Sequence, residues 1–342
     1  MKLPSPERPP PSAAFLRPRA GLAAGLFLLL LLALLAARPA RAESDPAYEA
    51  RKKAFRVRPL SMSGPSPAPG KEMLSALVPS ALARAPAWED PPPELWFPVG
   101  EDCLYDISWG IFTVGSARAR ADWVEVEGRR VLAISVEAES NGIVETLYPV
   151  KEFLQTLVEP VSFLPLAHEK QASEGRHKTH ELTIFDPEAG EARYHSFLRD
   201  NGYAYPLPEG TRDMLSVMYW FRRCPLREPG GKWACELVTN EKLYELFVDA
   251  LALESVSLGR YGKRECVKLE PTGKFEGMFV HKGRMFLWTS RDARYTLCAI
   301  DASVPVADIH VKLKEVRGPG DDDWVAPPPE EKPKKVSRRH RP

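Results

Sequence analysis

The chain has 342 residues, and its 47 basic and 46 acidic side chains leave a formal net charge of +1. So even a balance carries no global electrostatic footprint for nucleic acid. A hydrophobic content of 44% with 27% charged residues is the composition of an ordinary globular protein, neither disordered throughout nor membrane-embedded throughout. The 34 prolines are about twice average usage, and they crowd the two ends of the chain.

Residues 21–37, GLAAGLFLLLLLALLAA, are an apolar run. Arg17 and Arg19 precede it, and Ala40-Arg41-Ala42 follows with small residues where a signal peptidase reads. This layout predicts a secretory signal peptide over residues 1–42. The alternative is an uncleaved inner-membrane anchor, since the run is just long enough to cross a bilayer when tilted. Without its first 42 residues the chain carries 41 basic and 45 acidic side chains, a net charge of −4. No cysteine follows the run, so a lipid-modified N-terminus is not expected. No Arg-Arg pair precedes it, which favours ordinary secretion over twin-arginine export.

Residues 43–94 begin with a charged, helix-compatible patch around Tyr48 to Phe55 and then turn Pro/Ser/Ala-rich. They offer few apolar side chains to offset the entropy of ordering, so they read as a mostly disordered linker. Residues 318–342 form a Pro-rich tail ending in Lys334-Lys335 and Arg338-Arg339-His340-Arg341. Such a tail is either simply solvated or a contact for an anionic surface or an envelope protein.

Residues 95–317 are long enough for one sizeable core. Residues 116–123 alternate strictly, with Ala117, Ala119, Ala121 and Trp123 apolar and Arg118, Arg120 and Asp122 polar. Residues 131–140 repeat the pattern after a Glu127-Gly128-Arg129 turn, which predicts a hairpin with one wet face. A second hairpin is expected over 181–197 and a third over 278–290. Further strands are expected at 243–248, 265–269, 295–301 and 309–316. Two short helices interrupt them. One lies near 143–148. The other covers 212–223, where Met214, Leu215, Val217, Met218 and Phe221 form a stripe and Thr211 is a candidate N-cap. The fold class is therefore mainly β: a single antiparallel, strongly curved sheet or open barrel with one or two short helices.

Of five cysteines, Cys224 and Cys235 flank a Pro/Gly-rich turn, and an oxidising compartment would bridge them. Cys266 and Cys298 sit in strand candidates that can pair across the sheet. Cys103 shares an apolar face with Tyr105, Ile107 and Trp109, which suits a buried thiol better than a nucleophile.

Known catalytic patterns are missing. There is no G-x-S-x-G elbow, no phosphate-cradling glycine loop and no C-x-x-C. His177 and His180, three apart on a strand, point to opposite faces, so no metal site is expected there. His168, His195, His281, His310 and His340 are scattered and share no signature with a serine or cysteine. Asp213 and Ser216 at the start of the second helix fit a capping role. Neither a cofactor nor an enzyme is expected.

Several phrases stand in a recognisable order. They are Phe97-Pro98-Val99-Gly100-Glu101, Leu104-Tyr105-Asp106-Ile107-Ser108-Trp109-Gly110, Glu145-Thr146-Leu147-Tyr148-Pro149-Val150, Phe163-Leu164-Pro165, Asp213-Met214-Leu215-Ser216 with Tyr219 and Arg222, Trp288-Thr289-Ser290-Arg291-Asp292 and Val304-Pro305-Val306. As a set they resemble the bacterial exported family called domain of unknown function 3108. The resemblance implies an exported β-rich domain of the Gram-negative envelope, hence a periplasmic location, and supplies no catalytic residue. At fold level alone, the architecture is similar to periplasmic half-barrel lipoprotein carriers.

Two functions of different class follow. The first is a non-catalytic binding module for a lipid or other amphipathic envelope molecule. It would use Trp109, Trp123, Phe286 and Trp288 on the strands with Met214 and Met218 on the helix, Met278 and Met285 adding adaptable surface. The alternative is that these side chains fill a closed core. The second is a structural or assembly factor acting through protein contacts.

Overall fold

The computed structural model describes residues 46–55, 82–223, 226–239, 242–275, 278–279, 284–304 and 307–319. The signal-peptide region, most of the linker, the basic tail and Cys224 lie outside the described residues.

A short helix, α1 (Pro46–Ala54), precedes the sheet. The chain then runs through β1 (Asp102–Trp109), β2 (Phe112–Val126) and β3 (Arg129–Ser140), helix α2 (Gly142–Leu147), and β4 (Val150–Val158), β5 (Pro165–Glu174), β6 (His177–Asp186), β7 (Glu191–Ser196) and β8 (Asn201–Pro206). Next come β9 (Arg212–Asp213) and helix α3 (Met214–Trp220). The remainder is β10 (Lys232–Thr239), β11 (Lys242–Ser257), β12 (Lys263–Phe275), β13 (Met278–Phe279), β14 (Arg284–Ser290), β15 (Leu297–Val304) and β16 (Ala307–Arg317).

All strands share one open sheet, ordered β8-β7-β6-β5-β4-β3-β2-β1-β16-β15-β14-β12-β11-β10-β9, with β13 attached to β12. Every pairing is antiparallel except that of β9 with β10. The first and last long strands meet at a central seam, with Tyr105 opposite Leu313 and Ile107 opposite Val311. Two meandering wings leave this seam, β2–β8 on one side and β10–β15 on the other. The curved, mainly β sheet with few short helices is the expected architecture.

Local chemistry sets the turns. Glu127 and Gly128 both hold positive φ, 49° and 72°, the geometry that joins two strands through a two-residue hairpin with the correct twist. At Gly115 a Cβ would lie 2.5 Å from the Glu139 carbonyl oxygen, so β2 and β3 approach there only because the residue is glycine.

Several expectations are corrected. The polar side of the first hairpin is not wet: Arg118, Arg120, Ser135 and Glu137 are buried. Arg118 is held by Asp102, its Nε donating to Oδ1 at 2.6 Å. Farther along the same wing, Leu82 and Ala85 cover Val131, Ala133, Leu157 and Ala167. Pieces of the Pro/Ala-rich linker thus pack on the sheet, and Tyr48 and Phe55 of the α1 segment bury with Leu198. The third hairpin does not form. β13 pairs with the far end of β12, while β14 lies between β12 and β15. The thirteen-residue β12 is long enough to serve both partners. Thr211 does not cap α3. The chain stays extended through β9, and Asp213 is the N-cap, in a reciprocal box with Ser216.

Candidate ligand cavity

Helix α3 lies on the inner face of the sheet, between β4 and β10. Asp213 fixes its N-terminus to the first wing. Thr156 donates to Asp213 Oδ2 at 2.5 Å, and His168 Nδ1 stands 3.1 Å from the same oxygen. Burial alone would raise the Asp213 carboxyl. The hydrogen bond and charge of His168, with the hydroxyls of Ser216 and Thr156, hold it below the usual carboxylate range instead. The far end of the helix is held by rings: Trp96 Nε1 donates to the Tyr219 carbonyl at 2.8 Å, and Phe97 packs on Tyr219 at 4.8 Å between centroids.

Between α3 and the second wing the inner face leaves a cavity of about 120 Å³. Met214, Val217 and Met218 supply the helical wall. Leu246 and Val248 of β11 and Met285, Leu287 and Thr289 of β14 supply the sheet wall. Strand alternation explains the choice: Met285, Leu287 and Thr289 share one face of β14, and Phe286 and Trp288 share the other. Thr289 is buried, and its hydroxyl has no hydrogen-bond partner among the described residues.

One end of the cavity is charged but neutral in sum. Arg222 and Glu101, both buried, form a two-pronged ion pair, with Nη2 to Oε2 at 3.0 Å. Arg222 Nε also donates to the Arg294 carbonyl at 2.9 Å. Beside them, burial and the Glu101 charge push the Cys103 thiol far up, so it stays protonated at neutral pH. Burial also raises Tyr105, whose hydroxyl donates to the Leu297 carbonyl at 3.2 Å.

Of the six side chains proposed from sequence, Met214 and Met218 line the cavity. Trp123 packs against the main core away from it, with Arg130 over its ring at 5.9 Å. Phe286 and Trp288 face the other way, stacked on Lys268, and Trp288 Nε1 donates to Glu254 at 2.9 Å. Trp109 stands at the sheet rim, 41% exposed. Leu287, Thr289, Leu246 and the Glu101–Arg222 pair were not singled out as ligand-facing. The alternation of β14 carried part of that signal, but which of its faces is inner depends on its pairing with β15.

The remaining groups have local work. His180 stacks on Phe197 at 4.4 Å, and Asp186 and Asp292 accept from nearby backbone N–H groups. Cys266 and Cys298 are both buried thiols. Their strands flank β14, and the two side chains hydrogen-bond to each other as free thiols.

An open, two-winged β-sheet closed by a short helix over an apolar cavity defines the class. The chain belongs to the family of proteins of unknown function DUF3108, whose model matches residues 104–314. No curated protein matches it. Among solved structures it is similar to a β-barrel-like protein of domain of unknown function DUF1849 from Brucella abortus, at 10% identity and a TM-score of 0.44, covering 64% of this chain and 97% of that one. A protein with a YmcC-like fold from Bacteroides fragilis aligns at 10% identity and a TM-score of 0.26, over 65% and 97% of the two chains.

Proposed function

We propose that this is an exported, periplasmic, non-catalytic binding module that holds the apolar part of a lipid or other amphipathic envelope molecule between α3 and the second wing. The supporting observation is a cavity with mostly apolar walls, whose charged end is neutralised by the Glu101–Arg222 pair and where the buried Thr289 hydroxyl has no hydrogen-bond partner among the described residues. A buried hydroxyl without a partner is costly, and a ligand polar group would satisfy it. The cavity approaches the roughly 150 Å³ apolar void that accepts a benzene-sized guest. The guest is therefore the end of an alkyl or isoprenoid chain, with the rest of the molecule outside. Because Glu101 neutralises Arg222, the site offers no free charge, and selection is by shape and apolar surface.

Native mass spectrometry of protein purified from its own envelope, followed by organic extraction, tests this reading. A chain-bearing adduct is expected on the parent protein. It should be lost from folded Met218→Asp and weakened in Thr289→Val, which keeps the shape but removes the hydroxyl. Adduct-free parent protein, or an adduct indifferent to both substitutions, would refute it. The same export route implies removal of residues 1–42 and a Cys224–Cys235 bridge. Intact mass before and after reduction reads both.

A further inference from the structure

The turn from β1 to β2 presents Ile111 and Phe112 to solvent at 91% and 70% exposure, beside Trp109. On the same rim, α2 packs beside β2 and ends in Leu147, 78% exposed. The link is direct, since the Asn141 N–H just before α2 donates to the Val114 carbonyl of β2. Residues 107–115 carry no charge. Trp109 also opens a cross-strand row, Trp109–Ile309–Ala302–Met285, whose last member is a cavity wall. The apolar inner face therefore runs unbroken from the cavity to the rim.

We infer that this rim docks on a lipid bilayer, with Ile111 and Phe112 among the acyl chains and Trp109 at the headgroup level. The side chains stand on two separate tips, the β1–β2 turn and the end of α2. A stable protein partner would need a complementary surface on the order of 1,000 Å², whereas acyl chains close around any apolar protrusion. Tryptophan next to deeper-lying aliphatic and phenyl groups matches the depth preferences of a membrane interface. The flanking charges cancel, since exposed Lys151 and Arg176 on this rim are balanced by exposed Glu145 and Asp308. Insertion rather than headgroup attraction therefore governs the contact. If the cavity holds a chain end as proposed above, the row gives that chain a dry route from the bilayer. The docking itself does not depend on that reading.

The test places a photoreactive phenylalanine at position 112 of the full chain, with position 251 as comparison. Leu251 is also exposed, at 41%, but lies on β11 in the other wing. Each protein is irradiated with vesicles of phosphatidylethanolamine and phosphatidylglycerol, and lipid adducts are counted by mass. Position 112 should give at least about tenfold more lipid adduct than position 251, the scale set by burying one large apolar side chain. The excess should survive salt near 1 M, where surface charge is screened within about 3 Å. Ile111→Asp in the same chain should cut it about tenfold, while Met218→Asp should leave it unchanged, so the rim and the cavity fail separately. Equal lipid adducts at the two positions, adducts to protein only, or loss of the excess in high salt would overturn the proposal.

Discussion

The two wings of the sheet are built differently although both are antiparallel meanders. In the first, β3 and β4 are buried on both faces, with Leu132, Ile134 and Leu154 inward and Val131, Ala133 and Leu157 under Leu82 and Ala85. In the second, β10 and β11 bury few residues, Leu237 and Val238 on one and Tyr244, Val248 and Ala250 on the other, and the rest are half-buried or exposed. The outer face of that wing is a run of surface ion pairs such as Arg284–Glu270 at 2.7 Å and Lys274–Glu245 at 3.3 Å. Exposed pairs of this kind add little stability. The first wing is a doubly covered scaffold. The second has one dry face, and that face is the one that leaves space against α3. Close packing and open space are thus allotted to different halves of one sheet.

The seam between the wings should be the most sensitive point. Replacing Arg222 by Met strands Glu101 in the interior and is expected to cost about 3–5 kcal/mol in chemical denaturation. Adding Glu101→Leu to that variant should restore most of the loss. A double variant as unstable as the single one would show that the pair does more than neutralise itself.

Core truncations sharpen the contrast. Leu154→Ala, at a fully buried position of the scaffold wing, should cost about 3 kcal/mol. Leu287→Ala, half-buried beside existing space, should cost only about 1 kcal/mol. Equal losses would mean that the wings are equally well packed.

Glu152 is the scaffold wing's pH-sensitive element. It is buried, with Lys170 3.7 Å away and no hydrogen-bond partner for its carboxyl oxygens among the described residues. Burial pushes its pKa up to about 7 from 4.5, despite the opposing charge of Lys170. A raised folded pKa means that the native state binds the proton more tightly than the unfolded chain. The resulting stabilisation is complete below about pH 4.5 and is lost as pH rises through 7. Glu152→Gln should therefore change little at acidic pH and gain about 2–3 kcal/mol over the parent at pH 8–9. A parent–variant difference that stays flat with pH would place the titration elsewhere. The smallest effect is expected at the helix cap, where Ser216→Ala should cost about 1 kcal/mol, read from the denaturation midpoint.

The wings also differ in how much of them could be read from sequence. The alternation of residues 116–123 and 131–140 showed β2 and β3, and the Met214–Phe221 stripe showed α3. The burial of Arg118 and Glu137 did not show, because an alternating pattern reads a charged face as wet, and the partner that holds Arg118, Asp102, comes from the neighbouring strand. Strands β4 and β5 went unread. KEFLQTLV and LAHEKQAS mix charge into both faces: Lys170 stands 3.7 Å from Glu152 across the strands, and Gln171 donates to Glu169 along β5. The helical half of the cavity was legible through Met214 and Met218. The sheet half was not, since an aromatic such as Trp288 and an aliphatic such as Leu287 look equally ligand-like until register separates them.

Thermal unfolding of the parent chain and of Ala119→Phe, with and without octanol, tests the cavity most directly. Ala119 lies on the cavity wall, so the added ring occupies the space itself. The midpoint of the parent should rise with octanol concentration, as it must for any guest that binds only the folded state. Ala119→Phe should remain folded and give no response. A parent midpoint indifferent to octanol, or a filled variant that responds as the parent does, would contradict a guest-binding cavity between α3 and the second wing.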